Sequence, residues 1–342
     1  KENTRSDMRY ISKIHVLLCA AALAITACQS EDSISPETDM ETVKLLVTVP
    51  ATSGLTRIGD PGTGVEEGAD WDRLAVILAY KDGPYVQKTI ITKDDFDKLP
   101  NYDGREGVKL LTVDAQIGSA YIYGVTYSSD AQYNPEQSIS DCKDNEQVKA
   151  LTISNDYAGT DDNASAKFVS VATGYYKTAV SGDQPALFEI QVGGTGEIGS
   201  IPTMTLTRLA SKIDIQWDAA DAYDQGYTDV KVTDFTYKGK EYGRLFPEIT
   251  GVTPDNQDKS WTFYNTSEIS QRNGRVYHYT FTDGATTPSV TFNISARKDG
   301  NDITGSGYTM NFSYVLQQAA WYKVNATIKG VTGSGSITLS MN

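Results

Sequence analysis

Residues 42–80 read TVKLLVTVPATSGLTRIGDPGTGVEEGADWDRLAVILAY and join two strand patterns through a long glycine-rich segment. The first pattern alternates, which predicts a strand with one face buried and the other partly buried. Its apolar set is Val43, Leu45, Val47 and Val49. The second pattern, residues 71–80, is apolar at odd and even positions alike, which is typical of an interior strand covered on both faces.

The segment between the two patterns contains Gly and Pro at a density that favours an exposed loop over a packed element. Exposed loops are where proteases cut most readily. Arg57 stands near the start of this loop and is followed by Ile58. Lys44 lies inside the first predicted strand and Arg73 at the start of the second, so we expect neither to compete as an exposed site. We therefore predict cleavage after Arg57.

The composition predicts an all-β, extracellular chain. Its 342 residues suffice for two domains, and its 21 tyrosines and short apolar runs between turn residues are typical of β proteins. The net charge of −14 repels phosphate backbones, so we expect no nucleic-acid partner.

The best domain boundary is the Gly- and Pro-containing segment 193–202, which predicts domains at 28–202 and 203–342. Apolar runs bounded by turn residues predict further strands on both sides of it. These are 87–92, 108–114, 120–127, 147–153, 168–174, 186–192, 203–217, 230–237, 261–265, 276–282, 290–297, 308–316 and 321–328.

The N-terminal residues have the pattern of a lipoprotein signal peptide. Basic residues precede the apolar run 16–27, which is shorter than the ~20 residues needed to span a bilayer. The run ends in Ile-Thr-Ala-Cys, which resembles the lipobox of bacterial lipoproteins and predicts a signal peptide at 1–27 with lipidation of Cys28. Several acyl chains on Cys28 would anchor the precursor stably to the outer membrane. An ordinary signal peptide with a chance cysteine is the alternative.

The remaining reactive residues favour a protein that is not an enzyme. Cys19 lies in the signal peptide and Cys28 is the lipid site, so Cys142 has no intramolecular disulfide partner and is interpreted as a partly exposed bystander. His15 and His278 are the two histidines, too few for a Ser-His-Asp or His-rich zinc site in the mature chain. Paired carboxylates for glycoside hydrolysis stay open, because such pairs meet only in three dimensions. We predict no cofactor and no metal.

The last twelve-residue segment, 331–342, alternates apolar or glycine residues with small polar residues to its end. Its larger apolar residues are Val331, Ile337, Leu339 and Met341. This two-residue period predicts a strand. One interpretation is an ordinary closing strand that forms a hairpin with residues 322–328.

Taken in order, these features resemble the fimbrillins of Bacteroidales, the subunits of type V pili. The set comprises the lipobox, the first strand, Arg57 in its loop, GADWDRLAVILAY at 68–80, LTRLASKIDIQW at 206–217 and WYKVNATIKG at 321–330. Together they cover essentially the whole mature chain.

The resemblance implies two tandem β-sandwich domains of transthyretin-like, Greek-key type. It also implies that an Arg-specific or trypsin-like protease cuts between Arg57 and Ile58 and that the segment 28–57 leaves with the first strand. The C-terminal strand 331–342 of a neighbouring copy would then fill the groove. The expected product is a head-to-tail polymer of copies or related subunits, an extracellular fimbrium for adhesion and biofilm.

Several roles remain open at this stage. Cleavage and a donor tail favour a shaft subunit, whereas an anchor subunit keeps its lipid and a tip subunit has no need to be accepted by a subunit above it. The competing function is a surface lipoprotein that binds glycans through exposed Trp and Tyr platforms. All four tryptophans lie in strand patterns and are mostly interpreted as core, which weighs against that function; they are Trp71, Trp217, Trp261 and Trp321.

Overall fold

The computed structural model describes residues 40–49, 71–81, 83–130, 133–158, 169–173, 189–192, 203–246, 256–263, 272–331 and 336–339. Within these ranges the protein is an all-β fold with a few short helices. Glu41–Asn342 forms one compact unit, so the predicted division between residues 202 and 203 stays a prediction.

The described N-terminal half has ten strands, and all of them except Thr152–Ser154 belong to two facing sheets. They are β1 (Met40–Thr48), β2 (Arg73–Tyr80), β3 (Val86–Thr92), β4 (Val108–Gln116), β5 (Gly118–Tyr127), β6 (Thr152–Ser154), β7 (Ser170–Thr173), β8 (Glu189–Val192), β9 (Thr203–Thr205) and β10 (Thr207–Arg208). One sheet has the order β4-β1-β9, and the other has the order β10-β7-β5-β2-β3 with β8 also paired to β5.

Strand β2 lies between two hydrophobic cores of the N-terminal half, as its apolar residues at odd and even positions predict. Leu74, Val76 and Leu78 point into a core that β2 shares with β1, β4 and β9. Ala75 and Ile77 point to the opposite side, into a second core. All five side chains are buried, which confirms an interior strand covered on both faces.

Short helices contribute to the cores on both sides of β2, with Phe96 of the first helix in the core beside β1. They are α1 (Lys93–Lys98), α2 (Glu136–Asp141) and α3 (Asn145–Lys149), with 3-10 turns at Tyr102–Gly104 and Asn155–Tyr157. Ile139 of α2 and Val148 of α3 are fully buried in the second core. That core also contains Phe246 and Phe281 from the C-terminal half, so the two halves share apolar packing.

The C-terminal half is a second sandwich around its own core. Its elements are β11 (Ser211–Asp218), α4 (Ala220–Asp224), β12 (Tyr227–Lys240), β13 (Tyr242–Arg244), β14 (Asp258–Thr262), β15 (Asn273–Thr280), β16 (Ser289–Lys298), β17 (Asn301–Phe312), β18 (Trp321–Thr327) and β19 (Ser336–Leu339). The sheets β15-β11-β18 and β14-β12-β16-β17-β19 enclose a third core that includes Ile213, Phe235 and Val324.

A buried asparagine ties the halves together beside the small sheet β13-β6. The Asn155 amide donates to the carbonyl oxygens of Lys240 (2.9 Å) and Phe281 (3.0 Å). Its Oδ1 accepts from the Phe281 amide at 2.6 Å and from the Thr280 hydroxyl at 3.0 Å. A buried amide with this many partners fixes its neighbours closely, because each would otherwise be left unpaired.

Two predicted strands are wrong in detail. Residues 147–153 contain helix α3 and only a short β6, because the Asp144 carboxylate accepts from the Gln147 amide and caps the helix. Residues 203–217 are three strands and not one, since β9 and β10 pair with N-terminal strands before β11 enters the C-terminal sheet.

The prediction that Cys142 is partly exposed is also wrong. Its residue exposure is 5%, and it belongs to the core behind β2. The Sγ atom lies 3.2 Å from the Ser138 carbonyl oxygen, and burial raises the pKa of the thiol. A buried thiol of raised pKa is inert, which agrees with a bystander role.

Candidate strand-exchange site

The first strand, β1, lies between two other strands. It pairs with β4 on one side and with β9 on the other. Its register with β9 is parallel and matches Leu46 to Thr203, Val47 to Met204 and Thr48 to Thr205. The Leu206 amide then donates to the Thr48 carbonyl at 2.8 Å. An interior strand satisfies backbone groups on both of its neighbours, so losing it would leave two edges unpaired.

The apolar face of β1 contributes directly to the core between the two N-terminal sheets. Four side chains alternate along the strand and pack there, with exposures of 8% for Val43, 0% for Leu45, 0% for Val47 and 8% for Val49. Leu46, on the opposite face, is also buried at 5%. The alternation that predicted one buried face and one partly buried face therefore agrees with the structure.

The two basic residues near the loop differ in their surroundings. Lys44 lies within β1 as predicted, but its side chain is exposed and not hidden. Its backbone belongs to the paired strand β1, and a backbone held in a sheet does not enter a protease cleft readily. Arg73 is half-buried, and its guanidinium contacts the Asp72 carboxylate at 3.2 Å.

The predicted lipidation and cleavage residues Cys28, Arg57 and Ile58 lie outside the described residues. Their roles stay predictions. The described chain ends at Val49 before the loop and resumes at Trp71, which is 6% exposed and packs in the same core as β1.

The C-terminal strand β19 lies at the edge of the larger C-terminal sheet. It runs parallel to β17 and pairs Ser336 with Thr309, Ile337 with Met310 and Leu339 with Phe312. The hairpin interpretation named residues 322–328 as its partner and is wrong, because that stretch lies in the other sheet beside β11. Met341 lies outside the described residues.

Val331 differs from the rest of the predicted donor strand. It is 5% exposed and belongs to the C-terminal core together with Ile328 and Tyr322. The side chain of Val331 therefore already stabilises its own domain, and only the chain beyond it is attached through the edge strand.

Strand β9 is a part of this site that the sequence interpretation missed, since residues 203–217 were read as one strand. A signal was present in the spacing. Apolar residues occupy even positions at Met204 and Leu206 and odd positions at Ile213, Ile215 and Trp217. A switch of parity within one run indicates a break between strands.

Two observations concern the metal-ligating and titratable side chains of the described residues. No group of three or more His, Cys, Asp or Glu side chains that could hold a metal occurs among them. His278 is buried between the rings of Tyr237 (4.7 Å) and Phe263 (5.0 Å), and burial lowers its pKa to about 3. Within the described ranges no helix has the length and apolar character to cross a membrane.

No protein-family model matches the sequence, and no curated protein matches it. Among solved structures, the chain is similar to a candidate cell adhesion protein from Parabacteroides distasonis, with a TM-score of 0.47 and 15% identity over 86% of this chain and 94% of that one.

Two further solved structures are fimbrial proteins. A fimbrial assembly protein from Parabacteroides distasonis gives a TM-score of 0.40 and 11% identity over 84% of this chain and 91% of that one. The tip fimbrial protein Mfa3 from Porphyromonas gingivalis, with a C-terminal truncation, gives a TM-score of 0.41 and 11% identity over 78% of this chain and 81% of that one.

Proposed function

We propose that this chain is the precursor of a fimbrial shaft subunit, which polymerises by strand exchange after proteolysis removes β1. The observation that carries the proposal is the place of β1 in the fold. It is an interior strand whose four alternating apolar side chains fill the core, and the chain that follows it contains Arg57 in a Gly- and Pro-rich segment.

Loss of β1 would leave a groove that binds a strand from another copy strongly. Each of the four buried side chains contributes about 1.5–3 kcal/mol on burial, and each ladder hydrogen bond adds about 1 kcal/mol net. The edges of β4 and β9 would face each other across an apolar groove one strand wide. A groove of this kind captures an extended segment by strand addition.

The donor in this proposal is the chain beyond Val331. Strand β19 is held at a sheet edge by a short parallel ladder, and parallel pairing is slightly weaker per residue than antiparallel pairing. Val331 stays in the C-terminal core and acts as the fixed point from which the tail extends. Ile337, Leu339 and Met341 have the two-residue period of the pockets that β1 vacates.

A contact between the tail of one copy and the groove of the next is head-to-tail and does not close, so it produces a filament. The precursor would reach the outer-membrane surface through the lipid on Cys28 and lose that anchor with the segment 28–57. The mature subunit would then lie in an extracellular fimbrium and serve adhesion without enzymatic activity.

The test is limited trypsin treatment of the purified precursor, with the Arg57→Ala variant as control. We expect the first cut after Arg57, followed by large oligomers in electron micrographs and SDS ladders, and an uncut monomer for Arg57→Ala. A wild-type chain that is cut at Arg57 and stays a monomer would refute the shaft role. Cut chains that accept a tail but donate none would instead indicate a tip subunit, and a chain that resists the cut and keeps its lipid would indicate an anchor subunit.

A further inference from the structure

The outward face of the sheet β15-β11-β18 brings aromatic, cationic and amide side chains together in aligned rows. Strand register sets four rows of three residues. From one end to the other they are Tyr279-Lys212-Trp321, Tyr277-Asp214-Lys323, Arg275-Gln216-Asn325 and Asn273-Asp218-Thr327. We call this set the outer face; the alternate residues of the same strands, such as Ile213 and Val324, point inward to the core.

The outer face is only partly open to solvent, because Lys212, Asp214 and Tyr279 are buried. Lys323, Asn325 and Thr327 of β18 are exposed, and Tyr277 and Trp321 are half-buried. The sequence interpretation of Trp321 as a core residue is therefore wrong, whereas the half-buried Trp261 packs against the C-terminal core. Trp71 and Trp217 are buried as predicted.

A fully buried carboxylate holds the central groups of the outer face in place. Asp214 has 0% exposure and accepts two hydrogen bonds from the Arg275 guanidinium, at 2.8 and 2.7 Å. Its Oδ2 also accepts from the Trp321 indole at 3.0 Å. These contacts fix the Trp321 ring and pair the negative charge of Asp214 with the Arg275 guanidinium.

Lysine ammonium groups lie over the aromatic rings of the same face. The Lys212 Nζ lies 4.4 Å from the ring centre of Tyr277 and 5.7 Å from that of Trp321. The Lys323 Nζ lies 3.7 Å from the Trp321 ring centre, on an exposed side chain. This end of the outer face is therefore electropositive in a chain whose net charge is −14.

Planar polar side chains and a cavity occupy the other two rows of the outer face, and neither Tyr277 nor Trp321 lines the cavity. A cavity of about 480 Å³ is lined by Gln216, Asp218, Asn273, Arg275 and Asn325, among others. Neighbouring strands are about 4.8 Å apart and same-face residues about 6.7 Å apart, so the outer face measures roughly 10 by 20 Å. An extended ligand a few rings long fits these dimensions.

We propose that the outer face binds an acidic oligosaccharide, with sugar rings on Tyr277 and Trp321 and sugar carboxylates facing Lys323 and Arg275. Aromatic rings attract the apolar faces of sugars, and the side-chain amides of Gln216 and Asn325 donate to and accept from hydroxyl groups. The cations complement carboxylates, which distinguishes uronic-acid sugars from neutral ones. This site is separate from β1 and β19 and goes beyond the proposed shaft function.

The test measures binding of oligogalacturonate to the purified full-length chain by isothermal titration calorimetry, with a cello-oligosaccharide of equal length as the neutral probe. The variants are Lys323→Glu on the outer face and Lys238→Glu, an exposed lysine of β12 on the other sheet, as the matched charge control. Both are surface changes, and thermal melting checks that each variant is folded.

We expect wild-type protein and Lys238→Glu to bind oligogalacturonate alike, Lys323→Glu to bind at least about tenfold more weakly, and the neutral probe to bind more weakly than the acidic one. The proposal is overturned if the wild type does not bind oligogalacturonate, if the neutral probe binds equally well, or if both lysine variants weaken binding equally. None of these outcomes bears on polymer formation, which is measured separately.

Discussion

Val47 of β1 and Met204 of β9 are register partners in two parallel strands, and neither side chain has any exposed surface. The space for Met204 exists because Gly124 on the facing sheet has no side chain; a Cβ there would lie 2.5 Å from the Met204 sulfur. The core around β1 is therefore formed jointly by β1, by β9 and by the facing sheet that contains Gly124.

This fit predicts a large stability loss when an apolar side chain of β1 is shortened. Leu45→Ala should lower the free energy of unfolding of the uncut chain by about 3 kcal/mol, because it leaves a cavity in a fully buried position. Lys44→Ala, at the adjacent exposed position, should change it by less than about 0.5 kcal/mol. Urea unfolding followed by tryptophan fluorescence measures both, and equal effects would show that β1 is not a core strand.

The Asn155 contacts predict a second sensitive position. Asn155→Ala leaves the Phe281 amide and the carbonyl oxygens of Lys240 and Phe281 without this partner. Each unpaired group costs about 1–3 kcal/mol, so we expect the free energy of unfolding to fall by about 3 kcal/mol or more. Asn325→Ala, at an exposed site, is the control. Thermal unfolding checks the difference, and an Asn155→Ala variant as stable as the control would contradict the role of this amide in joining the halves.

Burial of His278 predicts a pH-dependent stability. The pKa of His278 is about 3 in the folded chain, below the unfolded value of 6.5. Its contribution to the free energy of unfolding is therefore fully present above pH 6.5 and is lost as the pH falls from 6.5 towards 3. The free energy of unfolding falls by about 1.4 kcal/mol for each pH unit in that window. His278→Phe should flatten the curve of unfolding free energy between pH 6 and 4, measured by urea titration. An unchanged slope in the variant would show that His278 is not the responsible group.

Substitutions in the tail beyond Val331 are expected to affect assembly, and a substitution at Val331 is expected to affect folding. Replacing Ile337 and Leu339 by Ser should leave the uncut monomer folded but abolish polymer formation after cleavage, because the groove loses two of the three apolar side chains that the tail supplies. Val331→Ala should instead lower the melting temperature, since Val331 is buried in its own core. Size-exclusion chromatography and melting curves separate the two effects. Normal polymers from the Ser variant would contradict donation by this tail.

The local spacing of apolar residues predicted those strands that bury either one face or both faces. The alternating face of β1 and the two-sided burial of β2 follow directly from residue spacing, because one face or both faces of each strand lie in a core. The break between β10 and β11 was missed, because the chain changes sheets there within a single apolar run.

Other features depend on contacts between distant segments and were therefore not predictable from spacing. The partner of β19 is β17 and not β18, although β18 is nearer in sequence. The exposure of Trp321 depends on which side of β18 faces the core, and its indole is fixed by Asp214, 107 residues away. Alternation predicts two faces, but it does not say which face a partner sheet covers.

The replacement of β1 by the tail is tested most directly by a binding measurement. A chain that lacks residues 337–342 is cut after Arg57, and a synthetic peptide of residues 331–342 is added and followed by native mass spectrometry. The account predicts that one peptide binds per cut chain and displaces the fragment containing β1, whereas a peptide with Ser at 337 and 339 does not. If the fragment stays bound and the peptide does not bind, or if the peptide binds equally to the uncut chain, strand exchange at this site is contradicted.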